Sequence, residues 1–464
     1  MSLFLIIFSI LLIVANIYCF ISKKYLYLFI PCMLFLPEYY GIDISGSLPV
    51  ITVTRIMFVI FYIYVFINKK RNISFSELKT MDVKSIPKEY MLLAIYFIFR
   101  IIPNLCYITT FGQAAKTLFS IIFEQTFLLI AIYLLAPDKK EIDTLIKVVV
   151  YTAAAFYIIG IFESMTYIRP FDALYTVSRT MLNEHYVRLG LLRATATFGM
   201  PINYGNMCLF TLPLIMYMYE ISRHKRYLFI ALLNVMAMIH SGSRSDFIFY
   251  GFILIVYFVF VAKGLQRKIL YIRNCLIVLL GLLIAIFAIS WDSQYYTYFY
   301  TGTVKSVLNE VGFDFDLSEG SPDGAEGFGE NADYGSGSRL AQFTGIEYTL
   351  KTSPIIGLGS KAQTRGDVQY YSRGYWHPSY TYDVGYVEIF CDEGIIGMIG
   401  YICLFAAMVL AAVKKSGQSC LIDKKYLLLF VVTYMVGMLS TANMFGFLMV
   451  YVVFCVFARN CTDQ

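Results

Sequence analysis

The segment ILYIRNCLIVLLGLLIAIFAIS, residues 269–290, is 22 residues long and almost wholly apolar. A helix of about 20 apolar residues crosses the roughly 30 Å hydrocarbon core of a bilayer. The segment therefore predicts a transmembrane helix. A long polar interval, residues 291–386, starts directly after it and carries both tryptophans of the chain.

Twelve further apolar runs lie on either side of these two stretches. They are residues 2–21, 25–36, 51–68, 90–102, 118–135, 146–165, 200–219, 227–239, 247–262, 395–413, 426–439 and 445–457. Of the 464 residues, 59% are hydrophobic and 15% are charged, whereas charged residues form about a quarter of a soluble domain. The sequence predicts an all-α polytopic membrane protein with 12–13 transmembrane helices. The first run has no basic flank or cleavage site, so we expect a retained helix.

The basic residues predict the orientation. A topology that places 23 of the 37 Lys and Arg residues on the cytoplasmic side follows the positive-inside rule. Those 23 are mostly Lys, while 10 of the other 14 are Arg. Arg presents a planar fork suited to phosphate or carboxylate, so this bias indicates an anionic ligand on the outer face. Scattered interfacial arginines are the alternative explanation.

This topology divides the chain into three regions. N-terminal transmembrane helices occupy residues 1–290 and include an extracytoplasmic loop at about 166–199; the large extracytoplasmic loop is 291–386; C-terminal helices occupy 387–464. The first loop contains four arginines, Arg169, Arg179, Arg188 and Arg193. A short turn at residues 240–246 adds Arg244, which either reaches water or meets an anion at the membrane boundary.

The large loop has two parts. Residues 309–338 hold eight acidic residues and no basic one, which is typical of a mobile, solvated segment. Residues 339–353 place Leu340, Phe343, Ile346 and Leu350 at helical spacing and predict an amphipathic helix, with Ser338 as N-cap and Pro354 at its end. A glycine turn at 355–360 and an aromatic stretch with Trp376, His377 and Tyr380 follow.

Metal and disulfide chemistry is not indicated. The ten cysteines fall mostly in apolar runs, and the four histidines lack metal-ligand spacing. The pair Asp314 and Asp316 matches an Asp-x-Asp metal site only weakly, because no rigid strand or nucleotide pocket accompanies it. We expect no metal and no other cofactor.

Several short motifs occur in a defined order. They are Arg193 with Phe198 and PINY at 201–204, SGSR at 241–244, SR at 338–339, PIIGLG at 354–359, His377, and VEIFCDEGIIG at 387–397. This order, with a large outer loop before the last helices, resembles the O-antigen ligase and repeat-unit polymerase superfamily. The resemblance covers about residues 188–401. It implies a fold similar to the GT-C glycosyltransferases.

The resemblance also implies a function. Such a protein is a metal-independent glycosyltransferase of the bacterial cytoplasmic (inner) membrane, whose active site faces the exterior and whose donor is an undecaprenyl-pyrophosphate-linked oligosaccharide. A polymerase joins repeat units of O-antigen, capsule or exopolysaccharide, and this is the favoured interpretation. A ligase transfers the finished glycan to lipid A core, and a flippase or a non-catalytic scaffold are alternatives of other classes. Expected partners are the lipid-linked glycan, the bilayer and, as an open case, a chain-length regulator, but no nucleic acid.

Positions that match the motifs are the candidate site residues. Transfer breaks the bond between sugar C1 and the diphosphate, so fixed positive charge on the departing phosphate favours it. Arg244 and Arg339 are the catalytic arginines of this hypothesis, and Arg193 and Arg188 bind the diphosphate or glycan. The remaining candidates are a base and its partners, His377, Glu388 and Asp383, and two aromatic side chains that stack on sugar, Trp376 and Tyr380.

Each role has a structural alternative. His377 can simply bond backbone, and Glu388 can favour the N-terminal end of the following helix. Arg179, Arg188, Arg365 and Arg373 suit solvated or structural roles better than catalysis. Glu124 lies inside an apolar run, where an acid usually faces a cavity or a partner.

Overall fold

The computed structural model describes residues 3–44, 49–71, 86–177, 186–322, 339, 341–372, 374–414, 422–440 and 444–457. All thirteen apolar runs are helical within these residues. The helices that contain them are α1 (Leu3–Ile21), α2 (Tyr25–Phe35), α3 (Val53–Asn68), α4 (Lys88–Cys106), α5 (Gly112–Leu135), α6 (Lys139–Thr166), α7 (Pro201–Ser222), α8 (Arg226–Ser241), α9 (Arg244–Val261), α10 (Leu265–Ser290), α14 (Gly385–Lys414), α15 (Lys424–Gly437) and α16 (Phe445–Phe457).

Shorter elements connect these helices on one side of the bundle. They are the strands β1 (Gly41–Ile42), β2 (Ile51–Thr52), β3 (Val187–Arg188), β4 (Leu191–Leu192), β5 (Gln369–Ser372) and β6 (Tyr375–Pro378), the 3-10 turn Pro170–Leu174, and the helices α11 (Gln294–Glu310), α12 (Thr344–Thr352) and α13 (Ala362–Arg365). The strands form three antiparallel hairpins, β1–β2, β3–β4 and β5–β6.

Seven helices of the described chain are long and apolar enough to cross a membrane: α1, α4, α5, α6, α9, α10 and α14. Four shorter apolar helices, α2, α3, α8 and α16, accompany them. The prediction of an all-α polytopic membrane protein is confirmed. The total of 12–13 crossings stays a prediction.

Contacts between distant segments separate the two ends of the bundle. At one end Lys70 Nζ lies 2.7 Å from a carboxylate oxygen of Glu141, and the Tyr64 hydroxyl donates to the Lys23 carbonyl at 2.8 Å. At the other end Glu163 accepts the backbone N–H of Thr195 at 3.0 Å. These contacts place residues 23, 70 and 141 at one end of the bundle and residues 163 and 195 at the other. Aromatic pairs fill the core between them, as where Phe29 and Phe61 stack with centroids 4.2 Å apart.

Helix α14 is broken at Gly394, whose φ of 66° and ψ of −158° are not helical. The segment 354–359 fills the break: Ile395 donates its N–H to the Pro354 carbonyl at 2.9 Å, and Leu358 donates to Cys391 at 2.7 Å. A Cβ on Gly394 would lie 2.5 Å from the Gly357 nitrogen, so both positions need glycine. The predicted glycine turn is thus present, and it supplies the backbone hydrogen bonds that the broken helix lacks.

The predicted helix at 339–353 is observed over part of its length. Helix α12 covers Thr344–Thr352, and it buries Gly345 and Thr349, while Phe343 and Leu350 are 41% and 46% exposed. An added Cβ on Gly345 would lie 2.7 Å from the Tyr370 ring, so close approach of the β5–β6 hairpin selects this face. Ile346 of the predicted apolar face packs against a core cluster, and contact of the exposed Phe343 and Leu350 with the membrane surface stays a prediction. The predicted N-cap Ser338 and Leu340 lie outside the described residues.

Candidate functional site

Four of the candidate arginines come together at the turn between α8 and α9. This arginine cluster consists of Arg188, Arg193, Arg244 and Arg339. Burial lowers the pKa of Arg188, and the charges of the other three cluster arginines lower it further. Burial also lowers the pKa of Arg193, against a raising effect of Asp246, and Arg244 and Arg339 add to the lowering. Arg188 and Arg193 bond to the turn that Arg244 follows, and the charge of Arg339 acts on both, so the four side chains are neighbours.

Two of these side chains are fixed by backbone carbonyls of the turn. Arg188 donates from Nη1 to the Gly242 carbonyl at 2.8 Å, and Arg193 donates from Nε to the Ser241 carbonyl at 2.9 Å. Gly242 has a φ of 61°, and a Cβ there would lie 3.1 Å from Arg193 Nε. Arg188 lies on β3 and Arg193 directly follows β4. The position of the β3–β4 hairpin therefore determines the position of both arginines.

Buried carboxylate and imidazole groups hold this hairpin in place. Glu163, at the end of α6, accepts N–H bonds from Thr195 at 3.0 Å and Ala196 at 2.6 Å. The backbone carbonyl of His240 accepts the N–H of Ala194 at 2.9 Å. The ring nitrogens of His240 contact the hydroxyls of Ser164 and Tyr300. His240 is fully buried, so its role is structural.

Few acidic groups balance the cluster. Arg244 Nη1 lies 2.9 Å from Glu310 Oε1, and their side chains are 15% and 21% exposed. Asp246 is fully buried at the start of α9, where Asn206 donates to it at 3.0 Å and the Ser440 hydroxyl bonds to it. Among the described residues, Arg339 has neither an ion-pair nor a hydrogen-bond partner. Within the part of the chain that the structure describes, four guanidinium groups thus face two carboxylates, a positive excess suited to an anion.

Glu310 shows that the start of the acidic segment 309–338 is not wholly solvated, whereas residues 311–322 are mostly exposed, as predicted. It is the last residue of α11, and Arg188 Nη2 reaches Ser306 on the same helix at 3.4 Å. Asn309 closes a turn by accepting the N–H of Phe315 at 2.8 Å, and Glu319 lies 2.7 Å from Lys305 Nζ. Two of the four acids up to residue 322, Glu310 and Glu319, thus have basic partners, Arg244 and Lys305. Residues 323–338 lie outside the described chain.

His377 is on a different element from the cluster. It lies on β6 opposite Tyr370, and its Nε2 is 2.5 Å from the Ser372 hydroxyl. A base role would use Nδ1 or require that hydrogen bond to break. In the described residues, no contact joins this hairpin directly to the arginine cluster. The connection is the segment after Arg339, where the Thr344 hydroxyl accepts the N–H of Tyr371 at 2.7 Å.

The aromatic candidates surround the same hairpin. Trp376 lies between Tyr348 and Tyr371, with ring centroids 5.8 and 5.5 Å away. Tyr380 is 65% exposed and lies close to Gly366, where an added Cβ would be 3.1 Å from its ring. Both side chains offer a partly open aromatic surface.

The acidic candidates occupy the base of the loop. Asp383 binds Gln342 twice, accepting from its amide at 2.8 Å and donating its own N–H at 2.9 Å. This pairing ties Asp383 to the Arg339 segment and not to His377. Glu388 is half-buried in the first turn of α14, one turn before Asp392. Asp392 in turn accepts the N–H of Lys361 at 2.6 Å and so anchors the loop.

Two further residues have structural partners. Arg365 donates to the carbonyls of Ser360 and Leu358, both at 2.8 Å, in agreement with its predicted structural role. Glu124 lies in a π-helical turn, 2.6 Å from Arg55 Nε, which supplies the partner that its apolar context predicted. Arg179 and Arg373 lie outside the described residues.

Sequence reasoning missed two buried ion pairs and one cavity. Arg169 Nε lies 3.3 Å from Glu163 Oε1, and both side chains are buried. Arg100 and Glu393 meet at 2.8 Å beside the break in α14; an arginine in an apolar run was its only signal. The cavity, of about 300 Å³, lies between α7, α8, α9 and α10 and is almost wholly apolar, with Glu220 and Arg267 at its far end. Phe247 lines both this cavity and a small cleft that Arg188 and Arg244 border.

Comparison with known proteins finds one family. Residues 229–402, less than half of the chain, match the family model described as O-Antigen ligase. The match covers Arg244, Arg339, His377 and Glu388, whereas Arg188 and Arg193 precede it. No curated protein matches the chain.

Proposed function

We propose, on the premise that the match over residues 229–402 supports membership of the O-antigen ligase and polymerase superfamily, that this protein polymerises lipid-linked oligosaccharide repeat units. The donor of this proposal is a glycan on undecaprenyl pyrophosphate, and the reaction takes place at the outer face of the cytoplasmic membrane without a metal ion. The family match implies glycosyl transfer, a lipid-linked glycan and a membrane setting. It gives no support to a flippase.

The convergence of the four arginines is the observation that carries this proposal. A diphosphate offers several anionic oxygens, and guanidinium groups bind such oxygens in pairs. The side chains of Arg188 and Arg193 are held by turn carbonyls before any ligand arrives. A preorganised positive site of this kind stabilises the charge that develops as the C1–O bond breaks.

The apolar cavity supports the same donor. It adjoins the arginine cluster at Phe247 and passes between helices toward the opposite end of the bundle. Burial of a hydrocarbon chain contributes about 0.8 kcal/mol per CH₂ group. In this proposal the diphosphate lies at the cluster and part of the polyprenyl chain enters the cavity.

The hairpin supplies the acceptor side. His377, on β6, takes the proton of the attacking hydroxyl through Nδ1, with Ser372 orienting the ring through Nε2. Trp376 and Tyr380 stack on the sugars, and Glu388 assists at the base of the loop. Diphosphate is a good leaving group, so the arginines contribute more to the rate than the base does.

Deletion in the native host, followed by a gel of the surface glycan, tests the proposal. Single repeat units on the anchor are the expected result. Long chains left on the lipid carrier would identify a ligase, the activity named by the family model. Loss of export of the lipid-linked unit would contradict both.

A further inference from the structure

Glu310 has no role in the proposed transfer, yet its carboxylate pairs with Arg244 of the arginine cluster. We infer that Glu310 is an exchangeable counterion: it neutralises Arg244 in the free protein, and the diphosphate of the substrate displaces it. The inference rests on the proposed function, since it requires a diphosphate at the cluster. It makes Glu310 a positioning residue that sets the affinity of the site.

The geometry of the pair favours exchange. Glu310 contacts Arg244 through a single 2.9 Å ion pair, and its side chain is 21% exposed. The pair Arg100–Glu393 differs, because Arg100 Nε contacts both oxygens of Glu393 and the carboxylate is 5% exposed. A monodentate, solvent-accessible pair is more easily replaced than a buried bidentate one.

Its position in α11 also disfavours Glu310. It is the last residue of this helix, Gln294–Glu310, where the negative end of the helix dipole repels an acid. Among the described residues, Arg244 compensates for this repulsion by pairing with the carboxylate. The charge of Glu310 also opposes the lowering of the Arg188 pKa. A diphosphate would neutralise the same arginines with more charge and more acceptor atoms, and it would repel the Glu310 carboxylate.

Exchange also has a consequence for product release. When the C1–O bond breaks, its electron pair stays on the diphosphate oxygen, the sugar carbon bonds to the acceptor oxygen, and the acceptor proton goes to the base. The departing lipid diphosphate therefore carries more negative charge than the donor did and binds the cluster more tightly. A carboxylate that competes for Arg244 speeds its departure.

Inorganic pyrophosphate binding to the purified full-length protein tests the inference. Glu310→Gln removes the competing charge and should lower the dissociation constant for pyrophosphate about three- to tenfold. Glu319→Gln is the matched control, because Glu319 lies on the same segment but pairs with Lys305; its dissociation constant should stay within about twofold of wild type. In turnover assays Glu310→Gln should lower KM and kcat together, since product leaves more slowly.

A second measurement needs no variant. Pyrophosphate should increase amide hydrogen exchange at the end of α11, around residues 307–312, because the helix loses its Arg244 contact. Unchanged or slower exchange there would overturn the inference, as would an unchanged or weaker affinity in Glu310→Gln. If wild type binds no pyrophosphate and Arg244→Ala retains normal glycan length, the proposed function itself fails. If wild type binds it and only Glu310→Gln has no effect, the counterion role alone fails.

Discussion

The buried pair at Arg100 and the arginine cluster use the same side chain for opposite purposes. Arg100 is saturated: Nε contacts both oxygens of Glu393 at 3.1 Å, and Nη1 reaches the hydroxyl of Tyr96 at 3.2 Å and the amide oxygen of Gln125 at 3.3 Å. The cluster is deficient, because its four guanidinium groups have one ion pair among the described residues. The number of acceptors around an arginine thus distinguishes a structural ion pair from the site that we propose binds an anion.

The largest expected effect comes from breaking the saturated pair. Arg100→Ala leaves the buried Glu393 carboxylate without its counter-charge and should reduce the free energy of unfolding by about 3–5 kcal/mol. Chemical unfolding of the purified protein in detergent measures the change. The double variant Arg100→Met, Glu393→Gln is the control, since removal of both charges should recover most of the loss. If Arg100→Ala reduced the free energy of unfolding by less than about 1 kcal/mol, the pair would not be a major source of stability.

Removal of a cluster arginine should affect catalysis and spare stability. Arg244→Ala and Arg339→Ala should each lower the transfer rate about 10²- to 10³-fold, equivalent to about 2.7–4 kcal/mol of transition-state stabilisation. Protein levels in the membrane should not fall, because like-charge repulsion decreases. Glycan chain length in the host and turnover with lipid-linked repeat units measure the effect.

Lys305→Ala is the control for this pair of variants, since Lys305 is basic and on the same side of the bundle but pairs with Glu319. Its turnover should equal that of wild type. Wild-type chain lengths in both arginine variants would remove Arg244 and Arg339 from the site.

An added anion should distinguish the two arginine sites in the wild-type protein. Pyrophosphate at about 100 times its dissociation constant should raise the free energy of unfolding by about 2.7 kcal/mol, because it binds only the folded cluster. Arg193→Gln should abolish most of this gain, whereas Arg100→Lys should retain it. Thermal unfolding with sodium chloride at equal ionic strength is the reference. An equal gain with chloride alone would mean that charge screening, not binding, is measured.

The smallest effect is expected at an exposed ion pair. Lys305 and Glu319 lie 2.7 Å apart, with Glu319 74% exposed, so water already solvates most of the interaction. Lys305→Gln should change the free energy of unfolding by less than about 1 kcal/mol. Chemical unfolding at low and at high salt measures this change. A loss as large as that of Arg100→Ala would contradict the expectation that the exposed pair contributes less than the buried one.

The sequence predicted the helices well because each is a local property. Thirteen apolar runs became thirteen helices, and a run such as 269–290 needs no distant partner to be recognised. The arginines were also predictable as a set, since 10 of the 14 basic residues outside the predicted cytoplasmic segments are Arg. Their convergence was not, because β3, the α8–α9 turn and Arg339 meet only in three dimensions.

What the sequence missed depends on long-range pairing. Glu310 was one acid among eight in a stretch that looked solvated, and nothing local indicates that Arg244 pairs with it. Arg100 and Glu393 are separated by 293 residues. The close packing of Gly345 in α12 was not predictable, because its neighbour Tyr370 belongs to the following hairpin.

The insertion of residues 354–359 into the break of α14 limits how this protein can be recombined with its relatives. If only the loop between residues 353 and 385 were exchanged, Gly357 and Gly394, which pack closely, would come from different proteins. Asp392 would also lose the backbone N–H groups of Lys361 and Ala362. A chimera that transplants this loop should therefore carry residues 339–396 as one block. Its second junction belongs inside the membrane helix, beyond Ile396, and not at the visible end of the loop.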